Sequence, residues 1–127
     1  MKSKARFLFI ALLLGFVFTS CEWKNEEEEG ITVTDCDTSQ VTLSGDVKPI
    51  LQTNCYPCHS NTAASSIGAG INLEDYESLK SRADGGSLLG SISHMSGFSP
   101  MPKGAAQISK CNLDFVKAWI ENGAPND

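Results

Sequence analysis

The chain has 127 residues, 41% of them hydrophobic, with ten Lys+Arg against fifteen Asp+Glu and a formal charge of −5. That length holds one domain plus a leader. The acidic balance argues against nucleic acid as a partner.

Residues 1–20 read as the leader. Lys2, Lys4 and Arg6 form a basic start, residues 7–18 are a nearly unbroken apolar run, and Thr19-Ser20 supply small residues before Cys21. This is a secretory signal, too short for a stable transmembrane span. A cysteine directly after it points to a lipoprotein, cleaved before Cys21 and lipidated on its sulfur. The alternative is a plain cleaved signal that leaves Cys21 as a free or paired thiol. Losing Lys2, Lys4 and Arg6 leaves seven basic residues against fifteen acidic ones, a formal charge of −8. Much of it sits in Glu22, Glu26, Glu27, Glu28 and Glu29. Residues 21–35 therefore read as an anchored, acidic, flexible linker that like charges keep extended. Such a cluster also resembles the sorting signal that directs some bacterial lipoproteins to the cell surface. The expected location is outside the cytoplasm, on a lipid anchor, facing the periplasm or the cell surface.

The folded domain is expected over 36–127, with residues 39–43 extended. Ser44 or Asp46 can cap a first helix, Pro49 is tolerated in its first turn, and Val47, Ile50 and Leu51 form an apolar stripe. The stripe runs into Cys55-Tyr56-Pro57-Cys58-His59. Two cysteines two apart, followed at once by histidine, are the attachment pattern for c-type haem. Each thiol adds across one porphyrin vinyl group, and the imidazole of His59 becomes the proximal iron ligand. Three other readings compete. A redox dithiol belongs beside a βαβ pattern, and none surrounds this pair. A zinc site needs third and fourth ligands, and adjacent Cys58 and His59 share one tetrahedral metal awkwardly. The third is an unrelated structural use.

Residues 60–70 have loop chemistry, with Ile67 and Ile71 placed to dip back towards a porphyrin. A second helix is predicted over 73–82, capped by Asn72, with Leu73, Tyr76, Leu79 and Ala83 on its buried face and Asp84-Gly85-Gly86 as its stop. A third is predicted over 87–94, with Leu88, Leu89 and Ile92 inward. Residues 95–107 form a loop. Ser109 caps the last helix, Leu113, Val116, Trp119 and Ile120 make its stripe, and Gly123 with Pro125 ends it.

A second axial ligand is sought after the haem motif, where His94, Met95 and Met101 stand. Pro100-Met101-Pro102 has the strongest case, because two prolines fix the backbone around one thioether. Met101 would close the iron and raise its potential, which suits electron transfer. His94 as ligand and an open site are the alternatives; a supporting role for His94, towards helix-end carbonyls or a haem propionate, is expected instead. Of five cysteines, Cys21 goes to lipid and Cys55 and Cys58 to haem, which leaves Cys36 and Cys111 to pair in an oxidising compartment. Closing their loop is worth roughly 4.5 kcal/mol by the chain-entropy model.

The haem motif, Pro100-Met101-Pro102 and the closing Trp119-Ile120-x-x-Gly123-Ala124 together resemble monohaem c-type cytochromes with His/Met ligation. The resemblance covers residues 44–125, and is nearest to the cytochrome-c-like domains of exported bacterial proteins. There a Gly-rich segment and an Asn-Leu-x-x-Tyr helix, here between Gly70 and Tyr76, lie between haem motif and Met-Pro loop. It implies an all-α, cytochrome c-like fold of about four short helices around one covalent haem c. Its first and last helices cross at one haem edge and the Met loop covers the opposite face. Carried over, Cys55 and Cys58 bind haem, His59 is proximal and Met101 distal. Pro49-Ile50 stands where the class commonly has a Gly-x-x-x-aromatic pair. The implied function is an electron carrier, not an enzyme, passing single electrons to or from a redox partner protein beside a membrane. The alternatives are a haem enzyme or sensor that binds peroxide or a diatomic gas, with His94 as acid–base group, and a non-redox surface-binding module.

Overall fold

The computed structural model describes residues 36–127. The leader, Cys21 and the acidic linker lie outside the described residues. Among the described residues there are helices, turns and loops and no strand, so this part of the chain is all-α. None of these helices is long and apolar enough to cross a membrane.

The chain enters through a turn at Ser39-Gln40, where extended structure was expected. A π-helical turn, Leu43–Val47, then runs without a break into α1, Lys48–Asn54. The cap is Thr42, not Ser44 or Asp46: its Oγ1 accepts from the Gly45 N–H at 3.1 Å. Asp46 reaches back instead and accepts from the Thr42 N–H at 2.9 Å. The two side chains thus satisfy reciprocal free donors at the helix start. The backbone of Leu43 and Ser44 donates to Asp127, to its Oδ1 at 2.7 Å and its carbonyl oxygen at 3.0 Å.

After the short α2, Tyr56–His59, comes a long loop and then α3, Tyr76–Asp84. This helix begins three residues later than the 73–82 pattern predicts. Asn72 does not cap it; its Oδ1 accepts from the Glu74 N–H at 3.0 Å, and Asp75 is the cap, accepting from Ser78 N–H at 2.9 Å. The reason is long-range: Leu73 N–H donates to the His59 carbonyl at 2.8 Å, and Glu74 accepts from Asn61 N–H at 2.8 Å. Residues 72–74 are held to the loop and are not free to coil.

α4, Ser87–Ile92, is two residues shorter than predicted, because His94 takes a left-handed backbone with φ of 52°. The last helix, α5, is Lys110–Glu121, capped by Ser109 as expected, with Gly123 at φ 89° behind it. Glycine tolerates that value without a Cβ clash, which ends the helix cleanly.

The π-turn packs on α5, and α4 packs on both α3 and α5. Val47, Leu51, Leu79, Val116 and Trp119 form the fully buried centre. Trp119 carries the largest of these side chains, and its indole N–H donates to the Pro125 carbonyl at 2.9 Å, so burial leaves no orphan donor. Tyr76 on α3 reaches the same turn, donating to the Ala124 carbonyl at 2.9 Å. Cys36 and Cys111 are disulfide-bonded, with Cα atoms 5.5 Å apart. The bridge ties the segment entering the domain to the first turn of α5.

Candidate functional site

α1 delivers the cysteine motif. Cys55 ends that helix, donating its N–H to Leu51 at 2.8 Å, and its own carbonyl then accepts from Cys58 at 3.1 Å and His59 at 2.8 Å. One carbonyl so gathers the backbone of all three motif residues, and Pro57 sits in the first turn of α2, where no donor is lost. Both thiols are free. Cys58 is exposed, whereas Cys55 is half-buried and its thiol is pushed up to about 11 by burial. It is a neutral thiol at ordinary pH, the opposite of the lowered thiol that a redox dithiol uses for attack.

His59 is half-buried, and its Nδ1 lies 2.9 Å from the Ile71 carbonyl oxygen. A carbonyl only accepts, so Nδ1 carries a proton, and in the neutral ring Nε2 keeps its lone pair. This is how proteins orient a metal-binding imidazole and fix its tautomer. The return of the chain to His59 depends on Gly68. A Cβ there would overlap the Cys58 carbonyl oxygen and lie 2.8 Å from the Ala64 Cα, so only glycine fits beneath the motif. Ile71 packs against the core, while Ile67 is 64% exposed. Asn61 braces the same loop, accepting from the Asn72 amide at 2.7 Å.

Met101 stands on a different segment and is half-buried. Its N–H donates to the Ser91 carbonyl at 3.0 Å, and its carbonyl lies 2.9 Å from His94 Nε2. The peptide after it, to Pro102, is cis. The ring of His94 thus meets the backbone of Met101, while its own backbone N–H donates to the Ser91 carbonyl at 3.2 Å. His59 and Met101 are held by separate partners, Ile71 for one and Ser91 and His94 for the other. Phe98, 39% exposed, lies over Gly90, where a Cβ would come within 2.6 Å of its ring, and Met95 is 52% exposed. Among the described residues no three His, Cys, Asp or Glu side chains gather as a metal-ion site.

Sequence patterns left Gly68, Ser91 and the Ile71 carbonyl unmarked as site residues. Gly68 and the Ile71 carbonyl matter only once the chain folds back on Cys58 and His59, and a backbone oxygen leaves no trace in residue type. No protein-family model, curated protein or solved structure matches the chain.

Proposed function

We propose that this chain is a monohaem c-type cytochrome, an exported, lipid-anchored electron carrier with a cytochrome c-like fold. The observation that carries the reading is the His59 Nδ1–Ile71 bond directly after two unpaired thiols. It leaves Nε2 as the free donor at the residue that c-type attachment puts next to iron. The rest of the donor set fits. Cys55 and Cys58 would hold the porphyrin by thioether links, His59 would be the proximal ligand and Met101 the distal one. The exposed apolar residues Ile67, Met95 and Phe98 flank the motif and the Met101 loop, and an apolar macrocycle gives such surface something to cover. Haem, when bound, supplies a one-electron iron couple whose potential a thioether ligand raises. The chain's own work is to fix the ligands, exclude water and expose one edge to a redox partner. The anchor through Cys21 and the acidic linker would tether that carrier beside a membrane.

The test is expression of the full chain in a host competent for cytochrome maturation. Haem staining, a reduced-minus-oxidised spectrum and a redox titration should show one covalent haem. A far-red absorbance band of thioether-bound ferric iron should be present and vanish in Met101→Ala. Folded but colourless protein would overturn the reading; ready binding of carbon monoxide or cyanide to the wild type would turn it towards a haem enzyme or sensor.

A further inference from the structure

We infer that His94 is a positioning residue for the distal ligand, acting through the backbone of Met101; this rests on the haem reading above. Met101 lies in a loop, and its thioether can be held only as firmly as its backbone. Both polar groups of that residue are clamped by one structural unit, α4 and the residues that end it. Ser91, inside α4, accepts from the Met101 N–H at 3.0 Å. His94, two residues past the helix, meets the Met101 carbonyl through Nε2 at 2.9 Å. A carbonyl oxygen has no proton to give, so the ring must carry one on Nε2.

The backbone at His94 is bent to make this contact. Its φ of 52° lies in the left-handed region, where non-glycine residues are uncommon and histidine is among the better tolerated. His94 N–H also donates to the Ser91 carbonyl, at 3.2 Å, and Met95 N–H to the Gly90 carbonyl at 2.9 Å, so the reversal that aims the imidazole is itself tied to α4. Phe98, seated over Gly90, closes the turn between His94 and Met101. A helix end, a left-handed residue and an imidazole together place one methionine. With Nε2 committed to that carbonyl, His94 supports Met101 and does not compete with it for iron.

The experiment uses the full haem-loaded chain and three variants. His94→Gly keeps the left-handed backbone and removes the donor. His94→Asn tolerates the backbone, but its amide is too short to reach. His94→Gln puts an amide N–H where Nε2 stood. Two readouts report the thioether: the far-red ferric band, and the rate at which cyanide takes its place on ferric iron. Loss of one hydrogen bond should raise that rate about fivefold in His94→Gly and His94→Asn and weaken the band, with haem content unchanged. His94→Gln should return both towards wild type, which a merely structural role would not produce. Exchange of the Met101 amide hydrogen should quicken in step in the two variants that lack the donor. A His94→Gly protein with wild-type band, cyanide rate and amide exchange overturns the inference while the haem reading stands. A wild type without haem, or with haem and no far-red band, overturns both. A band that survives Met101→Ala would put another thioether, that of Met95, on the iron, and the inference would be wrong.

Discussion

Gly68→Ala is the sharpest test of how the cysteine motif is supported. The added methyl would overlap the Cys58 carbonyl oxygen and lie 2.8 Å from the Cα and 3.1 Å from the carbonyl oxygen of Ala64. Non-bonded carbons rest about 3.5–4.0 Å apart. All three atoms belong to the backbone and Ala64 is 5% exposed, so no flexible side chain can swing aside. Forcing a methyl into such a site costs about 1–3 kcal/mol, or roughly a five- to 150-fold loss in the folding constant. For a domain of this size that lowers the melting temperature by about 5–20 °C. Gly70→Ala is the control: its φ is +76° but nothing lies within 4 Å of a Cβ, so only the backbone cost of about 1 kcal/mol applies. Thermal and denaturant unfolding of the disulfide-intact chain should therefore rank wild type above Gly70→Ala above Gly68→Ala. The clash also reaches the imidazole, because Gly68 accepts from Ile71 N–H at 3.0 Å and Ile71 orients His59. A Gly68→Ala protein that melts with the wild type, or above Gly70→Ala, refutes this account of the loop.

Four further outcomes are expected. In the haem-free chain, iodoacetamide should modify exposed Cys58 first and Cys55 far more slowly near pH 8, since burial both covers the Cys55 thiol and pushes it from its ordinary 9.0 up to about 11. The unfolded thiol ionises first, so stability should fall as pH rises from about 9 and level off above about 11; Cys55→Ala should flatten that slope, as read by denaturant titrations across the range. Replacing both Cys36 and Cys111 by alanine should cost about 2–4 kcal/mol by the same titrations, and intact mass of the non-reduced wild type should show that pair closed to alkylation. Trp119→Phe should cost about 2–3 kcal/mol, because it opens space at a fully buried position and leaves the Pro125 carbonyl without its indole donor.

The parts of the fold legible in the sequence are those set by local chemistry. Ser109 before an apolar stripe and Gly123 after it mark both ends of α5, and the stripe itself names Val116 and Trp119, both of them core. The Cys36–Cys111 bridge is legible by counting thiols in a chain read from its sequence as exported. What local chemistry cannot carry is competition from distant partners. Asn72 has the right residue type for a helix cap, yet its side chain is spent on a turn and on Asn61, and α3 waits for Asp75. Asp46 likewise looks like a cap and instead serves the residue that is one. The partner of the His94 ring is a backbone oxygen seven residues on, visible only after the chain reverses.

The two halves of the candidate site are built in different ways, and this has a physical consequence. The half around His59 is continuous with the core. The π-turn that leads into α1 packs on α5, α1 ends at Cys55, and the loop back from His59 leads to Tyr76, whose hydroxyl is bonded behind α5 at Ala124. Displacing α5 would therefore disturb the presentation of both thiols and the imidazole. The Met101 loop is tied to the core only through α4: the Met101 backbone bonds run to Ser91 and His94, and its neighbours Met95 and Phe98 face solvent in part. Segments with few buried contacts open locally at lower cost than the core. In the haem reading, then, the proximal imidazole stays fixed while the distal thioether is the ligand that releases first, at the end of α4.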